Sequence, residues 1–168
     1  MSAINVPANK NFLSPLGFRF ILNRAPNLNF HVQAVTVPGL NLSYAETPTP
    51  FVPLPNSGKI THGDFNVTFR VSEDLDDYLE IHNWMIGLGA TDNFDQYKTV
   101  QDQNGKTYSD ATVLIMNSSM RANIRVVFKD VFPIQLSDLT FNTTDTDVNY
   151  IECSASFKFT KYDIELMS

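Results

Sequence analysis

Residues 64–71 constrain the fold more than any other stretch: Phe65, Val67, Phe69 and Val71 alternate with Asn66, Thr68 and Arg70. Successive strand side chains point to opposite faces, so this segment is a strand with one packed face and one wet face. The period then changes. Ser72 and Asp74 can cap a helix, and Glu73, Asp74, Asp76 and Asp77 fall where acids favour the positive end of a helix dipole. Leu75, Tyr78, Leu79, His82 and Met85 or Ile86 recur at helical spacing up to Gly87 or Gly89, which predicts a helix over about residues 74–88. On this reading Leu75, Tyr78, Leu79 and Met85 pack on the domain's own sheets, and the acidic face remains available to water or a partner.

One such strand buries nothing alone, and the rest of the chain supplies others. Segments 17–22 (GFRFIL), 29–37 (NFHVQAVTV), 40–47, 111–116 (ATVLIM) and 123–132 (NIRVVFKDVF) are rich in aromatic and β-branched residues, with Pro133 closing the last of them. Pro38-Gly39 suits a type II turn, and Asn104-Gly105 a hairpin turn. A long strand is expected over about residues 149–164, with Ile151, Cys153, Ala155, Phe157 and Phe159 on one face and Glu152, Ser154, Ser156, Lys158 and Thr160 on the other. The fold class is therefore mainly β (α+β): two packed antiparallel sheets forming a small barrel or sandwich with one flanking α-helix. A chain of 168 residues fits one domain, and no internal repeat is visible.

Residues 47–62 (TPTPFVPLPNSGKITH) break the pattern. Pro48, Pro50, Pro53 and Pro55 remove backbone donors, so the segment reads as a long loop that carries Phe51, Val52 and Leu54. Docking on a neighbouring subunit and folding back on the chain's own surface both account for that apolar load.

Chemistry is hard to place on this sequence. Asp145, Asp147 and Asn149 begin like a calcium-binding loop, but Tyr150 stands where glycine is needed and Ser156 where the bidentate glutamate is needed. The acids between Glu73 and Glu80 are explained by the helix start. His31, His62 and His82 fit no metal-ligand spacing, and the single cysteine, Cys153, lies on an apolar strand face where a thiol behaves as a small hydrophobe. No phosphate-cradling glycine loop is present, so the reading is a protein that is not an enzyme and uses no cofactor. With one cysteine and an N-terminus lacking a secretory pattern, synthesis in a reducing cytoplasm is expected.

The net charge of −6 argues against tight nucleic-acid binding. It is unevenly spread: residues 1–63 hold Lys10, Arg19, Arg24 and Lys59 against Glu46, a net of +3, while the remainder holds 17 acids and 8 bases, a net of −9. Opposite potentials on two surfaces would suit head-to-tail contacts between copies, although unevenness of this size also arises by accident.

The order of elements, together with FHVQAVTVPGL, the long loop, GDFNVTFRVSEDLDDYLEIHNWM and the closing FPIQLSDLTFNTTDTDVNYIECSASFKFTKYDIE, resembles the tail tube proteins of contractile-tailed bacteriophages over residues 11–165. These share their architecture with the secreted tube protein of type VI secretion systems. The resemblance implies one tail tube domain over residues 1–168, with residues 1–12 an N-terminal extension and 47–62 an assembly loop. It implies six-fold rings stacked head to tail, each subunit adding strands to an inner barrel, with the sheath protein and the baseplate and terminator rings as partners. It places the protein in a virion tail, where DNA passes through the lumen without specific binding and the chain inserts in no membrane. Phe51, Val52, Pro53, Leu54 and Pro55 are then the candidate interface residues, and Gln33, Asn66, Thr68, Arg70, Ser154, Ser156 and Lys158 are the lumen-lining candidates, the alternation marking a wet face without saying whether it meets a lumen, a sheath or solvent. Baseplate initiators and tail terminators of the same fold are the alternative, and a monomeric β-sandwich binding or decoration module is a second.

Overall fold

The computed structural model describes residues 11–89, 94–101, 105–144 and 149–167. In chain order the elements are β1 (Phe18–Leu22), α1 (Leu28–His31), β2 (Val32–Thr36), β3 (Leu40–Thr47), β4 (Leu54–His62), β5 (Phe65–Arg70), α2 (Asp76–Gly89), α3 (Phe94–Val100), β6 (Ser109–Met116), β7 (Ala122–Leu136), β8 (Glu152–Lys158) and β9 (Lys161–Leu166). Much of the N-terminal extension, Asn104 of the hairpin dipeptide, and Asp145 and Asp147 lie outside the described residues. Gly105 itself has φ +73°, the left-handed region that such a turn demands.

Two antiparallel layers are built on one shared strand. The outer layer runs β1-β6-β7-β9, and the inner layer runs β2-β5-β8-β7. Fifteen-residue β7 serves both: its first part pairs with β6 and β9, and its last residues pair with β8. The switch occurs beside Asp130, whose φ of 55° is one of the few left-handed values that aspartate tolerates. Asp110 holds that corner, accepting from the Asp130 backbone N–H at 3.3 Å and from Lys129 Nζ at 2.7 Å. Lys129 first, then the Asp130 N–H, keep the Asp110 carboxyl below its ordinary value although burial alone would raise it. The path of strands is open, ending on β1 and β2. Among the described residues the chain is therefore a sandwich and not a closed barrel.

The alternation of residues 64–71 places Phe65, Val67 and Phe69 in the core, facing Phe157, Ala155 and Cys153 across the β5–β8 ladder. The layers meet where the Phe65 ring packs, tilted, on Phe128 of β7 with ring centroids 4.3 Å apart. Ile81 and Trp84 of α2 close one end, and Trp84 Nε1 donates to the Thr107 carbonyl at 3.0 Å.

Several expectations need correction. The segment predicted as a strand over 29–37 opens with the helical turn α1, and α3 lies in the polar stretch after α2, so the sandwich has more than one flanking helix. Pro133 does not end its strand, because β7 continues to Leu136. The closing strand is split into β8 and β9, with a break at Phe159 and Thr160 where the Thr160 N–H donates to the Lys129 carbonyl. Residues 54–62 are not loop but β4, paired along its length with β3.

The helix starts two residues later than predicted, and its fully buried stripe is displaced from the expected one: Tyr78 and Met85 do pack, half-buried, against the core, whereas Leu79 does not. Leu75 has φ 59° and precedes the helix, and the buried stripe is Asp77, Ile81, Trp84 and Gly87. Leu79 is 42% exposed. Leu79→Ala is therefore expected to shift unfolding by no more than about 0.5 kcal/mol, the range of ordinary surface changes, in a denaturant titration. Packing decides the face: at Gly87 an added Cβ would sit 1.8 Å from Val100 Cγ2, so α3 locks the glycine side of α2 against the body.

Asp77 is fully buried, and this polar group could not have been placed inside from the pattern alone. Its carboxylate accepts from the Ser72 hydroxyl at 2.7 Å and the Ser72 backbone N–H at 3.2 Å, and lies 2.9 Å from His31 Nδ1. Burial pushes this carboxyl up, but the Ser72 donors, then its own N–H and His31, outweigh it and hold the group below its ordinary value. A depressed folded value means that the contribution is complete above the unfolded value and is lost as pH falls through the folded one. Asp77→Ala is expected to cost about 1–3 kcal/mol at neutral pH by stranding the Ser72 donors, and to flatten the loss of stability below about pH 4 in acid titrations followed by circular dichroism.

Candidate assembly surfaces

The β3–β4 ribbon is the first surface. It forms a separate two-stranded sheet, and every residue in it except His62 is exposed. An isolated hairpin is marginal in water, so this ribbon needs support. At its base the His62 ring packs on Phe159 and Tyr162, with centroids 5.4 and 5.6 Å away, and Tyr162 Oη donates to the Pro38 carbonyl at 3.2 Å. In its middle Gly58 permits a bulge: a Cβ there would lie 2.5 Å from Ser43 Oγ. Leu42 and Ile60 are directly cross-strand, with Leu40 and Tyr44 next along β3, and all four are more than half exposed. The predicted interface residues sit at the tip. Phe51 is 96% exposed, Val52, Pro53, Leu54 and Pro55 are also exposed, and the turn is tied by the Thr49 hydroxyl donating to the Val52 carbonyl. Fold-back onto the chain's own surface is not what the tip does. The apolar face of Leu40, Leu42, Tyr44 and Ile60 was missed, though the alternation in LNLSY carries it.

The second surface is the outward face of the inner layer. The β5–β8 register sets Asn66 opposite Ser156, Thr68 opposite Ser154 and Arg70 opposite Glu152, and β2 adds Ala34 beside Thr68 and Thr36 beside Asn66. Gln135 of β7 lies opposite Ser156. All seven predicted lining residues are therefore gathered in one layer, Gln33 entering at a β2 irregularity beside Arg70. This face is hydrogen-bonded across strands: Ser156 Oγ donates to Asn66 Oδ1 at 2.7 Å. With its amide oriented to satisfy both neighbours, Gln33 donates to Glu152 Oε1 at 2.9 Å and accepts from Arg70 Nη2 at 3.1 Å. Arg70 also lies over the Tyr150 ring, 5.2 Å from its centroid, and Lys158 pairs with Asp64. Both cations of this face thus have an acid at hand, Glu152 for Arg70 and Asp64 for Lys158. Beneath the face Cys153 is buried and accepts from Ser137 Oγ at 3.1 Å, and burial raises its thiol above the ordinary value, away from nucleophilic chemistry.

The third feature is the pair of free edges. Among the described residues, β2 of the inner layer pairs only with β5, and the last residues of β7 pair only with β8. All three ladders of this layer are antiparallel, so β2 and the end of β7 run in opposite directions. An even number of strands with opposed edges allows one copy's β2 to continue, antiparallel, beside the β7 of another.

No family model and no curated sequence matches the chain. Solved structures do. The anti-feeding prophage tube-terminating cap superposes with a TM-score of 0.66 at 10% identity, covering 99% of this chain and 100% of that one. A chain from the sheath–tube complex of the PVC extracellular contractile injection system, in its extended state, gives 0.60 at 13% identity over 94% of each chain. A chain from the six-fold symmetrised anti-feeding prophage baseplate gives 0.57 at 10% identity, over 88% of this chain and 90% of that one. This chain has the tail tube fold. These three structures belong to a cap, a sheath–tube complex and a baseplate, which are structural assemblies and not catalysts. Within the tail tube fold, the exposed ribbon, the charge-balanced polar face and the opposed free edges are the features that assembly chemistry can use.

Proposed function

We propose that this protein is the repeated subunit of a contractile tail tube: six copies close into a ring, rings stack head to tail inside a sheath, and phage DNA is delivered through the lumen. The observation that carries this reading is the inner layer, four antiparallel strands with complementary free edges and one polar face. Six such layers joined edge to edge would give a barrel of about 24 strands, roughly 115 Å around at a spacing of about 4.8 Å, before strand tilt widens it. Barrels of roughly 16–18 strands already enclose an aqueous channel. Closure would also remove the exposed edges of β2 and β7, which otherwise invite uncontrolled pairing.

The polar face suits a conduit. Gln33, Asn66, Thr68, Ser154 and Ser156 would present small neutral groups, while Glu152, linked to Arg70 through Gln33, and Asp64, paired with Lys158, would offset rings of positive charge that would retain a polyanion. The ribbon tip, Phe51 to Pro55, would dock on a subunit of the next ring.

A second reading is favoured by the near-complete overlap with a tube-terminating cap, namely a single terminator or baseplate ring of the same fold. Negative-stain microscopy of the purified protein separates the readings: long hollow tubes support the repeated subunit, and isolated rings support the terminator. Monomers alone at high concentration would reject both and favour a binding module.

A further inference from the structure

The two layers do not end together. Directly opposed residues on neighbouring antiparallel strands share a face, so the outer layer carries, beside the core row Leu22-Ala111-Phe128-Tyr162, two further apolar rows on its inward side: Phe18-Ile115-Ile124-Leu166 and Phe20-Val113-Val126-Ile164. Phe20, Val113 and Val126 are buried. The inner layer ends at β7, whereas the outer layer extends one strand further, to β9. Both rows consequently finish on side chains that point to the core side and yet lie open, Ile164 at 60% and Leu166 at 81% exposure.

At the other lateral side the Phe18-Ile115 row is also only partly covered, whereas Phe20 is buried. Between β1 and β2 a groove of about 320 Å³ is lined by Phe18, Ile115 and Val113 from the outer layer, by Val35 and Val37 from the inner layer, and by Leu13. The groove is bounded by the free edge of β2, and the open β9 flanks the free edge of β7. Large apolar side chains left on the inward face of a sandwich are unusual unless another surface covers them.

We infer that the β9 end of one subunit seats in the β1–β2 groove of the next subunit around the ring, with Ile164 and Leu166 inserted between the two layers, so that the cores of adjacent copies become continuous. This rests on the ring reading above and adds the seat that fixes one subunit against the next. The occupant is a second copy of this chain. The protruding Leu166 and the groove terminate the same row, Phe18-Ile115-Ile124-Leu166, on opposite lateral sides, which is the arrangement a head-to-tail contact needs, and it is adjacent to the edges whose strand directions already match.

Two variants test it. Leu166→Asp changes a side chain that is mostly exposed in the subunit, so it should leave the melting curve unchanged and abolish rings in negative stain; rings from that variant would overturn the inference. Leu166→Cys is then combined with Val37→Cys or Leu13→Cys, the native Cys153 being buried. Mild oxidation of assembled protein should give a ladder of linked subunits on non-reducing gels, absent from each single variant. Rings that form normally while neither double variant cross-links would overturn this seat and leave the ring reading standing. A parent protein that never forms rings would remove both.

Discussion

Replacing Phe51 and Leu54 together with serine is expected to abolish tube growth while leaving a folded monomer. Both side chains sit at the ribbon tip, 96% and 58% exposed, and neither belongs to the core or packs against it. The subunit therefore loses nothing on substitution, and its thermal midpoint should match the parent's. In an assembled tube each side chain fully buried would contribute roughly 1.5–3 kcal/mol. The pair then amounts to about 3–6 kcal/mol per subunit, which is a factor of about 10² to 10⁴ in each contact at roughly 1.4 kcal/mol per tenfold. In the proposed tube a ring would repeat the contact at every subunit, so growth by stacking should fail before ring closure does. Sedimentation velocity reads the outcome, with single rings or monomers replacing fast-sedimenting tubes. Tubes of normal length from the double variant would show that the ribbon tip is not an assembly contact.

The two surfaces differ in how legible they were. The polar face could be read directly, because strict alternation over residues 65–70 and 151–158 assigns every side chain to one of two faces, and a strand slipped by one residue would bury Asn66 and Arg70. The ribbon was half legible. Its apolar load was visible, but the proline density hid β4, since a proline interrupts a central strand yet is tolerated at an open edge where no ladder donor is needed. Pro55 lies in a two-stranded ribbon, and Pro133 lies in the part of β7 with a free side, so both fall where that rule permits them. The inward face of α2 was legible in part. Tyr78 and Met85 of the expected stripe do pack against the core, but nothing local excludes Leu79 from it or shows that Asp77 is buried until His31 of α1 is brought to it beside Ser72. The exposed ends of the apolar rows at β9 could not be read at all, because inward-facing Ile164 looks like any core residue until the strand count of the opposite layer is known.

The largest effect within the subunit is expected from Phe128→Ala. Phe128 is fully buried at the point where β7 carries the chain from one layer toward the other, and it touches three aromatic neighbours: Phe65 at 4.3 Å, Phe159 at 5.1 Å edge-on and Tyr162 at 5.4 Å. Truncation would leave a cavity that rigid strands on both sides cannot collapse, a change that costs about 3–5 kcal/mol. Against total domain stabilities of about 5–15 kcal/mol this is a large share, and at about 2–4 °C per kcal/mol for a chain of this size the midpoint should fall by roughly 6–20 °C. Phe128→Leu refills most of the volume and should recover most of that loss, which separates a packing effect from a specific aromatic one. The consequence should reach the assembly surface as well, because Tyr162 and Phe159 hold the His62 ring at the base of the ribbon. Hydrogen exchange would then show ribbon amides around Thr61 and His62 losing protection in Phe128→Ala below its melting range, while the same amides in Leu79→Ala stay as in the parent. An unchanged midpoint for Phe128→Ala would mean that the two layers are not joined through the Phe65–Phe128 contact.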